Sequence, residues 1–347
     1  MEIARTTGQP CRILITAPIE AHWLERLRGI SPDLQITRWS TSIDGEVPDN
    51  LWQAVEILYT SFAARLPSPE TVPQLRWVQL YSAGPDRILT HPLFSTSVTF
   101  TTTSGLHVIN MAEHVFTMIL AWFHRFPRLL SMQQQRQWPS ALDRASLFAG
   151  EELWGKTVAI VGYGSIGRQV ARLAKIFGMH VLAMQRGDDH RDHGFQFTGV
   201  GDTEGTLPER YYTPEQLHLM LNESDVVVIS VPLTSGTRGI FDEAAFRAMK
   251  PTAFLVNIAR GDICNEADLV LALREKWIAG AALDVFHKEP LPPDHPLWHL
   301  DNVFISPHSA GLTPQYYERA AMIFEENLRR YLVGQPLYNV VDKLHGY

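Results

Sequence analysis

The chain has 347 residues, of which 45% are hydrophobic, and a formal net charge of -7 at pH 7. This length suits two domains with sizeable cores, while the acidic balance excludes a basic surface for nucleic acid or for an anionic membrane. The two cysteines lie far apart, no signal peptide precedes the first apolar run, and no apolar run is long enough to cross a bilayer, so we expect a cytoplasmic protein.

The first third of the chain alternates short apolar runs with a helical pattern. The sequence predicts strands over 12–16, 56–59 and 76–80 and a helix over 20–28. This alternation is typical of a small α/β unit with a parallel sheet.

A helix predicted over residues 111 to 130 follows this unit. Its sequence is apolar on almost every face, so we expect it to be buried all round. Burial inside the chain and burial between two copies of the chain explain the pattern equally well.

A second, more regular series of apolar runs follows this helix. The predicted strands are 157–161, 180–184, 225–230, 253–258, 281–286 and 302–306. Such continuous apolarity is typical of parallel strands that are covered on both faces, so the sequence predicts a doubly wound parallel sheet. Thr213 and Gln216 predict a capping box with Pro214 between them, Thr313 and Pro314 predict another helix start, and the last helix should end before Gly334.

Three glycines lie between the first strand of this series and the next predicted helix. In the segment VGYGSIGRQV, Gly162 permits a tight turn, Gly164 permits close approach of a pyrophosphate, and Gly167 permits close packing of helix on strand. The phosphates would meet the amides at the start of the helix near Ser165. A strand on either side of the motif favours a dinucleotide, although flavin or adenosyl-methionine binding gives a similar pattern.

The end of the next strand indicates which nicotinamide cofactor binds. An acidic residue is expected there to bind the ribose hydroxyls of NAD, but the sequence has Gln185 followed by Arg186. Arg186 would pair with a 2′-phosphate, so NADP is favoured and NAD remains possible. Asp188 or Asp189 could supply the missing carboxylate for NAD.

Three polar residues follow the ends of three later strands. Arg260 lies in the segment NIARGDI, Glu289 in LDVFHKEP and His308 in SPHSAG. Ligands of doubly wound sheets bind outside the carboxyl ends of the strands, where these side chains could converge. Each residue alone fits an ordinary structural role, but the three together beside a dinucleotide motif indicate an active site.

These three segments, together with VPLTSGTRG at 231–239, resemble the family of D-isomer specific 2-hydroxyacid dehydrogenases. The resemblance extends from about Tyr81 to Ala310 and is weaker over the N-terminal strands. It implies an enzyme that transfers a hydride between a nicotinamide cofactor and a D-2-hydroxy acid.

The family's architecture implies two domains. A Rossmann-type dinucleotide-binding domain, residues 112–312, would be inserted into a smaller flavodoxin-like α/β substrate-binding domain, residues 1–111 and 313–347. We also expect a homodimer.

The resemblance implies a role for each of the three polar residues. Arg260 would hold the carboxylate and the 2-oxo oxygen of the substrate, because a planar guanidinium matches two oxygens. His308 would donate a proton to the 2-oxo oxygen as hydride arrives, and would act as base in the reverse direction. Glu289 would accept a hydrogen bond from the other ring nitrogen of His308 and fix its tautomer.

The resemblance also implies contacts with cofactor and substrate. Ser165 and Ile166 would contact the pyrophosphate, and Asp284 the nicotinamide carboxamide. Val231 and Ile258 would offer backbone contacts. The substrate loop YSAGPD, residues 81–86, would bind the carboxylate through the amides of Ser82, Ala83 and Gly84.

Two further features depart from the family pattern. Residues 187–212 form a longer segment than usual, which contains GDDHRDHG; its spacing matches no known metal-ligand set, so we expect a mobile polar surface loop and no metal. His107 stands where the family commonly has asparagine, and it either tunes substrate choice or is a neutral replacement; we favour the first.

The substrate is less well defined. Small 2-oxo acids such as glyoxylate or hydroxypyruvate need only Arg260 and the backbone loop, so we expect their reduction with NADPH. Formate dehydrogenases usually have glutamine at the position of Glu289, which argues against formate, but a phosphite-type dehydrogenase stays open. A non-catalytic, nucleotide-sensing protein similar to the family's corepressors is a further alternative, since such relatives retain the three residues.

Overall fold

The structure, a computed structural model, describes residues 10–40, 43–61, 66–85 and 88–343. The chain divides into two compact units. Unit 1 comprises Met1–His107, His193–Phe195 and Thr313–Tyr347, and unit 2 comprises Val108–Asp192 and Gln196–Leu312. The first boundary between the units lies after His107, whereas the sequence predicted it after residue 111. Residues 193–195 also belong to unit 1, which the sequence did not indicate.

Unit 1 contains a five-stranded parallel sheet with strand order β2-β1-β3-β4-β5, the order of flavodoxin-like folds. Its strands are β1 (Cys11–Ile15), β2 (Leu34–Arg38), β3 (Ile57–Thr60), β4 (Trp77–Leu80) and β5 (Thr99–Thr101), and its first helices are α1 (Ala21–Arg28) and α2 (Asp49–Ala54). The predicted strands and helix are confirmed. The strands β2 and β5 were missed, because both lie at edges of the sheet and neither is a continuous apolar run.

The helix predicted over 111–130 is two helices, α3 (Val108–Phe123) and α4 (Phe126–Gln134). Arg125 adopts a left-handed conformation with a φ of 51°, and Pro127, in the first turn of α4, has no N–H to continue the α3 ladder. Within this chain α4 has no buried residue, so burial inside the chain does not explain its apolar pattern. Three of its apolar side chains, Phe126, Leu129 and Leu130, are exposed.

Unit 2 contains a seven-stranded parallel sheet with strand order β12-β11-β10-β9-β6-β7-β8. Its strands are β6 (Thr157–Val161), β7 (His180–Met184), β8 (Arg210–Tyr212), β9 (Val226–Ile229), β10 (Phe254–Asn257), β11 (Gly280–Leu283) and β12 (Val303–Ile305). The helices are α5 (Ala141–Phe148), α6 (Ser165–Ile176), α7 (Leu217–Glu223), α8 (Glu243–Ala248) and α9 (Glu266–Arg274). The six predicted strands and the doubly wound α/β class are confirmed, as is the capping box of Thr213 and Gln216.

The segment 187–212 has no helix or strand as far as residue 209 and is mostly exposed or half-buried, but it is not a surface loop throughout. It ends in β8, which pairs with β7 at the edge of the sheet, and it contains the buried residues Gly201 and Asp202. A buried arginine of α6, Arg168, holds the segment through the backbone carbonyl oxygens of Asp202 and His190, and composition does not reveal such contacts. Among the described residues, no group of three or more His, Cys, Asp or Glu side chains is arranged to hold a metal ion.

The C-terminal helix, α10 (Tyr316–Leu332), packs on the sheet of unit 1. Phe324 stacks on Tyr59 with ring centroids 4.5 Å apart, and the Tyr331 hydroxyl donates to Glu56 Oε1 at 2.8 Å. The helix ends before Gly334, as predicted, although it begins at Tyr316, slightly after the predicted start at Thr313 and Pro314. None of the helices in the described ranges has the length and apolarity that a membrane crossing needs.

Candidate active site

The turn between β6 and α6 has the geometry of a phosphate-binding loop. Gly162 has a φ of +102°, and a Cβ on it would lie 2.8 Å from Val231 N. A Cβ on Gly167 would lie 2.3 Å from the carbonyl oxygen of Gly162, so neither position accepts a side chain. Gly164 differs, because a Cβ there would meet no described atom within 4 Å.

The open space at Gly164 faces the start of α6. Gly164 is the N-cap residue of this helix, and no side chain caps it. The amides of the first turn, which include Ser165 and Ile166, therefore end without a side-chain acceptor, and the helix dipole favours an anion there. These features fit the pyrophosphate of a dinucleotide.

The residues at the end of β7 hold no acidic side chain at the position expected for NAD. Gln185 N donates to Tyr212 O at 3.1 Å, and its side-chain Nε2 donates to Asp189 O at 3.0 Å. Arg186 is exposed beside it. The carboxylate of Asp189 accepts a hydrogen bond from Arg191 N at 3.1 Å, which orients it towards its own turn.

Arg260 lies directly after β10 in a turn held by Asn257. The Asn257 side chain donates to Arg260 O at 3.1 Å and accepts from Ala259 N at 3.1 Å. The guanidinium of Arg260 is exposed, and its Nη1 donates to Ala259 O at 2.7 Å. A Cβ on the next residue, Gly261, would lie 2.0 Å from the carbonyl carbon of Phe286, so this turn is in backbone contact with the turn after β11.

His308 and Glu289 form a pair. The Nδ1 of His308 is 2.7 Å from Glu289 Oε2, and the other carboxylate oxygen accepts from Phe286 N at 3.0 Å. About half of the His308 side chain (51%) and a third of the Glu289 side chain (36%) are exposed, so the ring is reachable from solvent. Because the carboxylate accepts from Nδ1, the ring presents Nε2 to any further partner.

The turn that presents His308 is anchored on Asp284. This carboxylate is 2% exposed and accepts hydrogen bonds from Ser306 Oγ at 2.6 Å, Ser309 N at 2.8 Å and Ala310 N at 3.0 Å. These bonds stabilise the positive φ of 51° at His308. The family resemblance implied only a cofactor contact for Asp284, and nothing in the sequence indicated this second role.

Two residues of α3, neither of them predicted from the sequence, support the same turn. Asn110 Nδ2 donates to Ala310 O at 2.7 Å, and His114 Nε2 lies 3.3 Å from Ser306 Oγ. Burial lowers the pKa of His114 although the Asp284 carboxylate opposes this shift. No local pattern connects residues so far apart in sequence, so only the folded chain reveals them.

The remaining predicted cofactor residues line the same edge of the sheet. Val231 follows β9 and Ile258 follows β10; both are buried, and Val231 lies against Gly162. The carboxyl ends of β6, β9, β10, β11 and β12 are neighbours in the sheet, so the structure gathers the predicted residues of unit 2 along one edge.

The predicted substrate loop and His107 lie in unit 1. Ser82, Ala83 and Gly84 follow β4, and Ser82 Oγ donates to Gly84 O at 3.0 Å. Asp86, the last residue of the predicted loop, lies outside the described residues. The His107 ring meets Tyr316 edge-on, with ring centroids 5.2 Å apart.

Comparisons with known proteins agree with this arrangement. Residues 116–310, more than half of the chain, match the model of the D-isomer specific 2-hydroxyacid dehydrogenase NAD binding domain. A glyoxylate reductase of Korarchaeum cryptofilum is 35% identical over 277 residues, which cover 79% of this chain and 78% of that protein.

Solved structures are similar over almost the whole chain. A D-isomer specific 2-hydroxyacid dehydrogenase family protein from Aeromonas salmonicida is 31% identical with a TM-score of 0.76, covering 96% of this chain and 100% of that one. A D-isomer specific 2-hydroxyacid dehydrogenase from Xanthobacter autotrophicus, in complex with NADPH and MES, is 26% identical with a TM-score of 0.74, covering 98% and 100%.

Proposed function

Because the chain belongs to the D-isomer specific 2-hydroxyacid dehydrogenase family and is an NAD(P)-dependent dehydrogenase, we propose that it reduces small 2-oxo acids, such as glyoxylate or hydroxypyruvate, with NADPH and with D-stereospecificity. The main support is the His308–Glu289 pair at 2.7 Å. Asp284 fixes the turn that carries His308, and the turn that carries Glu289 is in backbone contact with the Arg260 turn. A carboxylate-backed imidazole is the group that protonation of a 2-oxo oxygen needs.

The proposed mechanism assigns one task to each side chain. Bound NADPH supplies the hydride. Arg260, whose Nη1 donates to Ala259 O, binds the substrate carboxylate and polarises the carbonyl with other N–H donors of its guanidinium. His308 delivers the proton from Nε2, while Glu289 holds Nδ1–H and stabilises the ring in the orientation for transfer.

We propose that the dinucleotide lies along the carboxyl edge of the unit 2 sheet. Gly162, Gly164 and Gly167 shape the turn, Ser165 and Ile166 bind the pyrophosphate, and Val231 and Ile258 give backbone contacts. Asp284 already accepts three hydrogen bonds, and a carboxylate has about four acceptor sites, so one remains for the nicotinamide carboxamide. Residues 112–312 form the dinucleotide-binding domain in this proposal.

Residues 1–111 and 313–347 form the proposed substrate-binding domain. The amides of Ser82, Ala83 and Gly84 bind the substrate carboxylate, and His107 tunes which 2-oxo acid is accepted. The partly buried position of these residues after β4 is consistent with a binding loop that rests on a sheet.

The proposed preference for NADPH depends on Arg186. Its guanidinium follows β7 where an acid would select NAD, so the Arg186→Ala variant is expected to raise the Kd for NADPH about tenfold or more, and the Kd for NADH less than about twofold. Fluorescence titration with both nucleotides measures this. The matched control is Arg191→Ala, which removes an exposed arginine of the same segment that pairs with Glu204 at 3.2 Å. Equal losses for the two nucleotides would refute the phosphate contact.

We further propose a cytoplasmic homodimer in which the exposed apolar side chains of α4 are covered by the second copy. Phe126, Leu129 and Leu130 are 49%, 42% and 44% exposed on this helix. Exposed apolar clusters of this kind are typical of association surfaces. Sedimentation velocity of the purified chain at micromolar concentration should show a dimer. A monomer would contradict the proposal.

A substrate panel tests the proposed reaction. Purified protein is assayed with NADPH and with NADH against glyoxylate, hydroxypyruvate, larger 2-oxo acids and phosphite, and the configuration of each chiral product is determined. We expect the highest kcat/KM with NADPH and one of the two small acids. Tight nucleotide binding without turnover of any acid would instead favour a nucleotide sensor.

A further inference from the structure

The segment 187–212 packs against the helix of the proposed phosphate-binding loop. Arg168, in α6, is only 2% exposed, and its guanidinium points into this segment. Nη1 donates to Asp202 O at 2.6 Å, Nη2 donates to His190 O at 2.8 Å, and Nε lies 3.6 Å from Asp192 Oδ2. A buried arginine with this many partners fixes the segment on the helix.

Asp202 is at the centre of these contacts. It is 8% exposed, and its carboxylate accepts from Thr206 N at 3.1 Å, Leu207 N at 3.0 Å and the Tyr163 hydroxyl at 2.7 Å. Burial opposes its charge, but these hydrogen bonds and Arg168 hold the pKa of Asp202 below its usual value. The residue is therefore ionised at neutral pH and accepts strong hydrogen bonds.

Tyr163 connects Asp202 to the proposed cofactor site. It stands between Gly162 and Gly164, so it is the one residue of this triplet with a side chain. Its ring packs under the Arg168 guanidinium at 4.7 Å and meets Tyr211 edge-on at 5.6 Å, and the ring is 3% exposed. The conformation of the glycine turn thus depends on where this one side chain is held.

A turn rich in glycine loses much conformational freedom when a ligand orders it, and that loss weakens binding. A turn that is already held in the binding conformation avoids this cost. Tyr163 is anchored by a charged, buried acceptor from a segment about 40 residues further along the chain, which ties the turn to another part of unit 2.

We propose that Asp202 is a positioning residue for the dinucleotide: through Tyr163 and Arg168 it holds the turn 162–164 in the conformation that binds the pyrophosphate. This inference rests on the proposed placement of the dinucleotide at Gly164. Under this proposal the segment 187–212 increases the affinity for NADPH and for NADH alike. Arg186, in contrast, discriminates between the two nucleotides.

The test compares nucleotide affinity in Tyr163→Phe, Asp202→Asn and the double variant. Isothermal titration with NADPH and with NADH should show each single variant raising both Kd values about tenfold, since a hydrogen bond to a charged acceptor is lost. The Kd values of the double variant should be only slightly higher than those of the weaker-binding single variant, because each single variant already removes the charge-assisted hydrogen bond between Tyr163 and Asp202. The matched control is Tyr211→Phe, which removes a tyrosine hydroxyl that donates to Gly205 O at 2.8 Å in the same cluster; its Kd values should be unchanged.

Thermal unfolding of every variant separates positioning from stability. A purely structural role would lower the melting temperature of Tyr163→Phe and Asp202→Asn, as in Tyr211→Phe, but leave the Kd values for NADPH and NADH within twofold of those of the original protein. That result would show the inference to be wrong. Should Asp202→Asn fail to fold, Tyr163→Phe decides alone, because it removes a single oxygen atom.

A further variant keeps this inference separate from the proposed function. Gly164→Val adds a side chain where no described protein atom lies within 4 Å of the Cβ, so it should fold and lose nucleotide binding if the pyrophosphate lies there. Unchanged binding in Gly164→Val would overturn the placement itself. Lost binding there, with unchanged binding in Tyr163→Phe, would overturn only the role of Asp202.

Discussion

His308→Gln is expected to reduce kcat for the preferred 2-oxo acid by about 10²- to 10⁴-fold, the usual contribution of a general acid. Glutamine can hydrogen-bond to Glu289, but it cannot donate a proton to the substrate and be reprotonated in each turnover. The Kd for NADPH should change less than about twofold, because in the proposed mechanism His308 acts on the substrate oxygen and the glycine turn supplies most of the nucleotide affinity. Stopped-flow hydride transfer and a fluorescence titration measure the two quantities.

The backbone at His308 requires a second variant. Its φ of 51° is left-handed, a conformation that asparagine adopts more readily than glutamine. His308→Asn therefore keeps the turn between Ser306 and Ala310 while removing the acid. Both variants should lose activity to a similar degree; if His308→Asn kept a rate close to that of the original protein, His308 would not be the proton donor.

The strands of unit 2 were predictable because most of them are continuous apolar runs covered on both faces. The positions of the glycines were equally predictable. A side chain at Gly162 or Gly167 would clash with backbone atoms, so the fold requires glycine at both positions. The α/β class, inferred from the series of apolar runs, and the family, inferred from short motifs, are both confirmed.

Other elements lacked such a pattern. β8 has three residues, Arg210–Tyr212, in a segment whose composition is that of a loop, and β2 alternates polar with apolar residues at a sheet edge. The break between α3 and α4 has one sequence signal, Pro127, which the helix prediction over 111–130 did not use, and it falls at Arg125, whose backbone is left-handed. Sequence periodicity does not register a single backbone conformation of this kind.

The supporting contacts of the site are the least predictable part, because they join residues that are distant in sequence. Asn110 reaches Ala310 across 200 positions, and Arg168 reaches Asp202 across 34. A polar residue in an apolar helix or in a charged loop has many ordinary explanations. Only the fold shows that these two pairs support the turn of His308 and the proposed cofactor turn.

Gly261→Ala should cost both stability and catalysis, because the turn of Arg260 presses directly on the turn of Glu289. The added Cβ would lie 2.0 Å from Phe286 C, 2.3 Å from Phe286 O and 2.4 Å from His287 N, all of them backbone atoms that cannot rotate away. We expect a loss of about 3 kcal/mol in the free energy of unfolding, at the upper end of ordinary overpacking. A displacement of about 1 Å between the two turns should lower kcat/KM about 10²-fold.

Urea unfolding and steady-state kinetics measure these effects, and Gly236→Ala is the matched control. A Cβ on Gly236 would have its nearest neighbour, Thr234 Oγ1, at 3.9 Å, so this variant should match the original protein in both measurements. We expect reaction geometry and stability to be coupled at Gly261, because the same backbone contact sets the spacing between Arg260, the proposed substrate clamp, and the carboxylate behind His308. If Gly261→Ala lost stability but kept its kcat/KM, that contact would support the fold without setting the spacing of the two groups, and the proposed cooperation between Arg260 and the His308–Glu289 pair would need a different structural basis.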